Sequence, residues 1–219
     1  MRVPKIIQSE VASIVIAIAV LSVVIGFRAL IEEDWSFLPI AVLFGSAIIV
    51  TNILAKKIVA HALDADVEHK IWTFSRYGIK AQKKFRREMP AGIILPLFLT
   101  FFFLGTIKFM SILSYETRAL KVRAARRFGF YSFSEMTDFH HALIGGSGIL
   151  AVLALSFVSY FLPFQTAEML ARMATYYALF NMIPISELDG TQIFFGSRVI
   201  YAVLAVLTTI FMLYSLFLI

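Results

Sequence analysis

Two polar groups stand at the ends of long apolar runs. One is His61, in KKIVAHALDA (residues 56–65); the other is Asp189, in NMIPISELDG (residues 181–190). An imidazole and a carboxylate at one depth of a helical bundle can share a metal ion or a hydrogen bond. Ionisable groups in apolar segments are costly enough to be site candidates by default. Pro184 must break the helix before Asp189, because its ring clashes with the carbonyl one turn back. Gly190 permits a sharp turn after it. The carboxylate is therefore expected on an irregular turn beside an apolar bundle, where it needs a partner. Asp64 lies three residues after His61 and so shares its helix face. His140 and His141 open a later apolar run. His61/Asp64/Asp189 and His61/His141/Asp189 are both conceivable ligand sets. The simpler reading makes Asp64 a solvated acid and the two histidines interfacial residues.

The elements that position these groups must be membrane helices. Of 219 residues, 60% are hydrophobic and 16% charged, and the mean hydropathy is +0.85. A soluble domain carries roughly 45–50% apolar and about 25% charged residues. The apolar surplus excludes a soluble enzyme and a disordered chain. With no cysteine, thiolate metal sites, disulfides and cysteine nucleophiles are also excluded. The fold class expected is an all-α polytopic membrane protein.

A span needs about 20 apolar residues. Candidates run over about 11–31, 37–55, 91–113, 142–162, 170–185 and 199–219. Nine of the 20 Lys and Arg lie in 56–87 and five in 118–127. Basic loops stay cytoplasmic, so both ends of 91–113 want one side. That segment, with Pro96 and Gly105, is expected to be a re-entrant hairpin, giving five spans plus one re-entrant segment, or six spans. The N-terminus, with Arg2 and Lys5, is then cytoplasmic, and His61 and Asp189 share the cytoplasmic face. Residues 1–36 form an N-terminal helix with a short external loop. Residues 37–219 form the core, with basic cytoplasmic loops at 56–90 and 114–140.

The stretch NMIPISELDG, followed by an apolar helix starting near Arg198, resembles the leucine–aspartate–glycine segment of the site-2 protease family of intramembrane zinc metalloproteases. The segment KIVAH sits where that family's HExxH motif belongs, EHKIW (68–72) resembles the stretch after the metal helix, and ALIGGSGILAVLAL (142–155) resembles the family's small-residue helix. The resemblance covers about residues 37–219 and implies a site-2-protease-like core. It also implies zinc held by two motif histidines and the aspartate, with the motif glutamate as general base. Here the first histidine is Lys57 and the glutamate is Ile58. Only His61 and Asp189 match ligands. An ammonium does not ligate while protonated, and Ile58 carries no proton, so the vestigial motif Lys57, Ile58, His61 should not hydrolyse peptides.

The expectation is therefore a catalytically inactive relative. Lys57, His61 and Asp189 would form a buried polar cluster, with no cofactor. The groove would bind a transmembrane segment or a subunit of a membrane complex. The alternative is an active zinc protease with a non-standard ligand set, using His61, Asp189 and either Asp64 or His141. The basic loops suit anionic lipid headgroups. Nucleic acid is expected only through a ribosome-type assembly, since no nucleic-acid-binding motif is present.

Overall fold

The computed structural model describes residues 9–76, 84–120, 136–163 and 166–217, with side chains described for all of these except 75–87. Arg2, Lys5, Lys80, Lys83, the basic and aromatic stretch within 121–135, and residues 164 and 165 lie outside the described residues.

Helix α1 spans Glu10–Ile31 and is capped by Ser9, whose Oγ accepts the Ala12 N–H at 3.3 Å. A single 3-10 turn, Trp35–Phe37, leads into α2, Leu38–Ala62, with proline in its first turn. There the missing N–H costs nothing and the fixed φ helps. Asp64, at φ 54°, then turns the chain out of the helix. Helix α4, Asp138–Tyr160, is capped by Thr137. Helix α7 spans Arg198–Phe217. Among the described residues, α1, α2 with its leading 3-10 turn, α4 and α7 are long and apolar enough to cross a membrane.

The expected fifth span is shorter than that. Helix α5, Ala167–Met182, has 16 residues, about 24 Å at 1.5 Å per residue, against roughly 30 Å of hydrocarbon. It packs between α4 and α7, and Ser156 Oγ donates to the Ala171 carbonyl at 2.9 Å, tying α4 to α5. Helix α6 is the short Asp189–Gly196. Helix α4 is central and touches α2, α5, α6 and α7.

The chain is not purely helical. Strand β1, Ala65–Ile71, pairs antiparallel with β4, Leu113–Ala119, in the register Ile71↔Leu113 to Ala65↔Ala119. Strand β2, Phe74–Arg76, pairs with β3, Lys84–Met89. In β1, Ala65, Val67, His69 and Ile71 are buried, while the residues between them are exposed or half-buried. This period-two alternation is what a half-buried strand requires. Among the described residues, the segments expected as basic loops thus contain two small two-stranded sheets.

Residues 91–113 follow β3 of one pair and lead into β4 of the other. Helix α3, Ala91–Phe102, has 12 residues, about 18 Å, too short to span. Gly105, at φ 75°, turns the chain back. The Gly92 N–H donates to the Trp72 carbonyl, and the Trp72 N–H donates to the Ile112 carbonyl, both at 2.9 Å. Both ends of the excursion therefore meet at Trp72.

Large apolar side chains remain exposed along α7, among them Val199, Val203, Val206, Ile210 and Phe217. Such a face is a liability in water and is suited to lipid.

Candidate functional site

The polar centre of the bundle is a buried ion pair. Lys56 Nζ lies 2.6 Å from Asp189 Oδ2, and the side chains are 2% and 1% exposed. Lys56 projects from α2, six residues before its end, and Asp189 opens α6. The irregular turn predicted from Pro184 does present this carboxylate. Ser186, at φ 54°, lies in it, and Gly190 packs against the Met182 carbonyl so closely that a side chain there would collide.

Three groups complete the surroundings. Asn52, 1% exposed and one turn before Lys56, stands beside the Asp189 carboxylate. The Lys56 ammonium lies 4.6 Å from the centre of the Tyr115 ring, a distance at which the ring face attracts a cation. Gly148 of α4 makes room for the lysine stem, since a Cβ there would lie 2.5 Å from Lys56 Cε and 2.8 Å from Asn52 Nδ2.

A second layer fixes Tyr115. Its hydroxyl donates to the His141 carbonyl at 2.9 Å, and its carbonyl accepts from Gln192 Nε2 at 3.0 Å. Burial, with Asp189 adding to it, pushes the Tyr115 phenol well above its ordinary range. The phenol therefore stays a proton donor.

The expected cluster of Lys57, His61 and Asp189 is not what assembles. The cation on Asp189 is Lys56. Successive helix residues are about 100° apart and five residues differ by about 140°, so Lys57 and His61 leave the face that Lys56 occupies. Lys57 pairs instead with Glu10 of α1 at 2.7 Å and is 41% exposed. Ile58 is 68% exposed, and His61 is exposed at the end of α2. The possible third ligands also go elsewhere. His141 Nδ1 is 2.9 Å from Thr117 Oγ1. Asp64 serves the turn, its carbonyl accepting the Leu120 N–H at 2.9 Å. Among the described residues, no three His, Asp or Glu side chains converge as a metal ligand set.

Because Lys57 and Lys56 differ so much in burial, their alanine variants should separate. Exposed pairs contribute about 0.2–1 kcal/mol, so Lys57→Ala should shift the thermal midpoint in detergent little. Lys56→Ala, which strands a buried carboxylate, should lower it sharply. Equal shifts would refute the assignment.

Sequence reasoning missed Lys56, Asn52, Tyr115 and His69. Lys56 was legible as half of an i, i+4 polar pair with Asn52 inside an apolar helix. His69 was legible from the β1 alternation. It is 1% exposed, with Nδ1 3.2 Å from Glu10 Oε1.

Beside the ion pair, at the sheet end, lies a cavity of about 510 Å³ walled by Tyr115, Glu116, Asp138, His141, Glu187 and Gln192. Burial first, and then the carboxylates of Glu116 and Glu88, push the Glu187 carboxyl above its usual range. Three carboxylates, Glu116, Asp138 and Glu187, line the cavity, and Glu116 is paired with Lys70 at 2.6 Å.

No protein-family model, no curated protein and no solved structure matches the chain. The four long apolar helices fit a membrane protein.

Proposed function

We propose that the chain is a non-catalytic integral membrane protein with a site-2-protease-like core, in which a lysine ammonium stands where such a protease holds its metal. The observation that carries this reading is the Lys56–Asp189 pair with Asn52 beside it. The two motif histidines lie four apart on one helix face. Asn52 and Lys56 are four apart on the face toward Asp189, so the motif positions correspond to residues 52–56 rather than 57–61. Ile53 then holds the place of the general base.

An ammonium next to a carboxylate satisfies the charge that a dication would otherwise satisfy, and it offers no open position for water. Zinc hydrolysis needs that open position. The pair therefore serves as a tie between α2 and α6. The acidic cavity beside it is the place for a partner, a membrane segment with a basic flank being the best match in charge.

The test is to rebuild the motif. Asn52→His, Ile53→Glu and Lys56→His together should give a chain that binds close to one zinc, lost again on adding Asp189→Ala. The unmodified chain, kept from chelators, should hold none. Zinc near one per unmodified chain would overturn the reading in favour of a working protease with a non-standard ligand set. A folded rebuilt chain that binds no zinc would remove residues 52–56 as the motif.

A further inference from the structure

At the other end of the bundle, Arg28 lies 18 residues along α1 from Glu10, about 27 Å away at helical rise. A second cavity of about 510 Å³ opens there, lined by Arg28, Asp34, Phe37, Lys108, Glu168 and Arg172 among others. Three cations reach it from three parts of the chain: α1, the return limb of the 91–113 hairpin, and α5.

Only one of these cations has an acid. Arg28 Nε is 3.0 Å from Glu32, both side chains being largely exposed. Lys108 Nζ donates to the Ile25 carbonyl at 3.3 Å and lies 4.0 Å from Met173 Sδ. It forms no ion pair among the described residues, and Arg28 repels it. Arg172 likewise has no ion pair among them, and its Nε is buried without a hydrogen-bond partner. Lys108 and Arg172 thus line one cavity half-buried, neither with an ion pair among the described residues, and an anion there would relieve the cost of burying them.

The acids are arranged differently. Glu168 and Asp34 are exposed at the rim, and Glu168 has no ion pair among the described residues. Lys108 and Arg172 are half-buried, while Glu168, Asp34 and the Arg28–Glu32 pair are exposed. In a phospholipid of the phosphoethanolamine type, the phosphate is nearer the acyl chains and the ammonium nearer water. The order of charges in the cavity complements that headgroup. The location also fits, because α1 ends here and α2 and α5 begin here.

We propose that this cavity binds a zwitterionic phosphoethanolamine headgroup, its phosphate on Lys108 and Arg172 and its ammonium at Glu168 and Asp34. The proposal rests on the long apolar helices lying in a bilayer, and it is independent of the ion pair at the sheet end.

The test follows the thermal midpoint of the full chain in detergent. The additives are phosphatidylethanolamine, phosphatidylglycerol, glycerophosphoethanolamine and inorganic phosphate. Phosphatidylethanolamine should raise the midpoint by about 3–5 °C at saturating amounts, more than phosphatidylglycerol. Glycerophosphoethanolamine should give a smaller rise. Lys108→Gln and Arg172→Gln should each abolish the rise. Glu168→Lys, at an exposed position where folding is not at stake, should keep a response to phosphatidylglycerol and lose the preference for phosphatidylethanolamine. A rise with inorganic phosphate as large as with either lipid would overturn the lipid assignment and make this a site for free phosphate. No rise with any additive, or an undiminished rise in the glutamine variants, would remove the site.

Discussion

Asp189→Ala is expected to cost about 3–5 kcal/mol of stability, because it leaves the Lys56 ammonium buried without its counter-charge. The two side chains are almost wholly enclosed. Neither the Tyr115 ring nor Asn52 supplies a negative charge. The variant must therefore strip the proton from Lys56, draw water into the bundle, or separate α2 from α6. Each route weakens the fold. The complementary experiment removes both charges. A Lys56→Met, Asp189→Leu double variant keeps the volume apolar and should recover most of the loss, since buried pairs replaced by packed apolar groups are often neutral or better. Chemical or thermal unfolding in detergent of the two single variants and the double variant measures the coupling. Single variants that unfold with the wild type, or a double variant as weak as the sum of the singles, would show that the pair does not hold the helices together.

The second large effect is on the acid side. His69 is held down to about 4, first by burial and then by the positive charge of Lys56, with Lys57 adding to it; Glu10 opposes these through a hydrogen bond and its charge. In the unfolded chain an imidazole titrates near 6.5. Above about 6.5 both states are neutral and His69 contributes no pH dependence. As the pH falls from 6.5 toward 4, the unfolded chain takes up a proton that the folded chain refuses, so stability is lost across that window. The full loss is on the order of 3 kcal/mol. Loss of the Glu10 carboxylate charge at still lower pH would act in the same direction by weakening its pairs with Lys57 and His69. Unfolding midpoints at pH 7.5 and pH 4.5 should therefore diverge strongly in the wild type and much less in His69→Gln. If both proteins fall equally, His69 is not the sensitive group.

The architecture was legible in unequal parts. Long apolar runs announced α1, α2, α4 and α7, because a helix that must satisfy its own backbone in lipid has little choice of conformation. The turn-back of 91–113 was legible from its basic flanks together with Pro96 and Gly105. Both of its flanks are basic, and the chain does come back to Trp72. Strand β1 was hidden because Asp66, Glu68 and Lys70 at alternate positions of ADVEHKI read as part of a charged loop. Ala65, Val67, His69 and Ile71 carried the strand period all the same. The site was half legible. Asp189 was found through Pro184, which breaks the helix before it; the sharp turn expected at Gly190 does not form, since Asp189 and Gly190 open α6 and the glycine instead admits the Met182 carbonyl. Its partner was missed by one residue, since helical neighbours point about 100° apart and only packing against α4, where Gly148 opens the space, decides which lysine turns inward.

Chain order gives the Lys56–Asp189 pair a consequence for biogenesis. The two residues are 133 positions apart. At roughly 5–20 residues per second of synthesis, Lys56 waits on the order of ten seconds before its counter-ion is even made. During that wait α2 is a nascent segment with a bare cation at its inner face. A chain truncated before α6 never leaves that condition. Until α6 is made, the Lys56 ammonium has no Asp189 carboxylate to neutralise it.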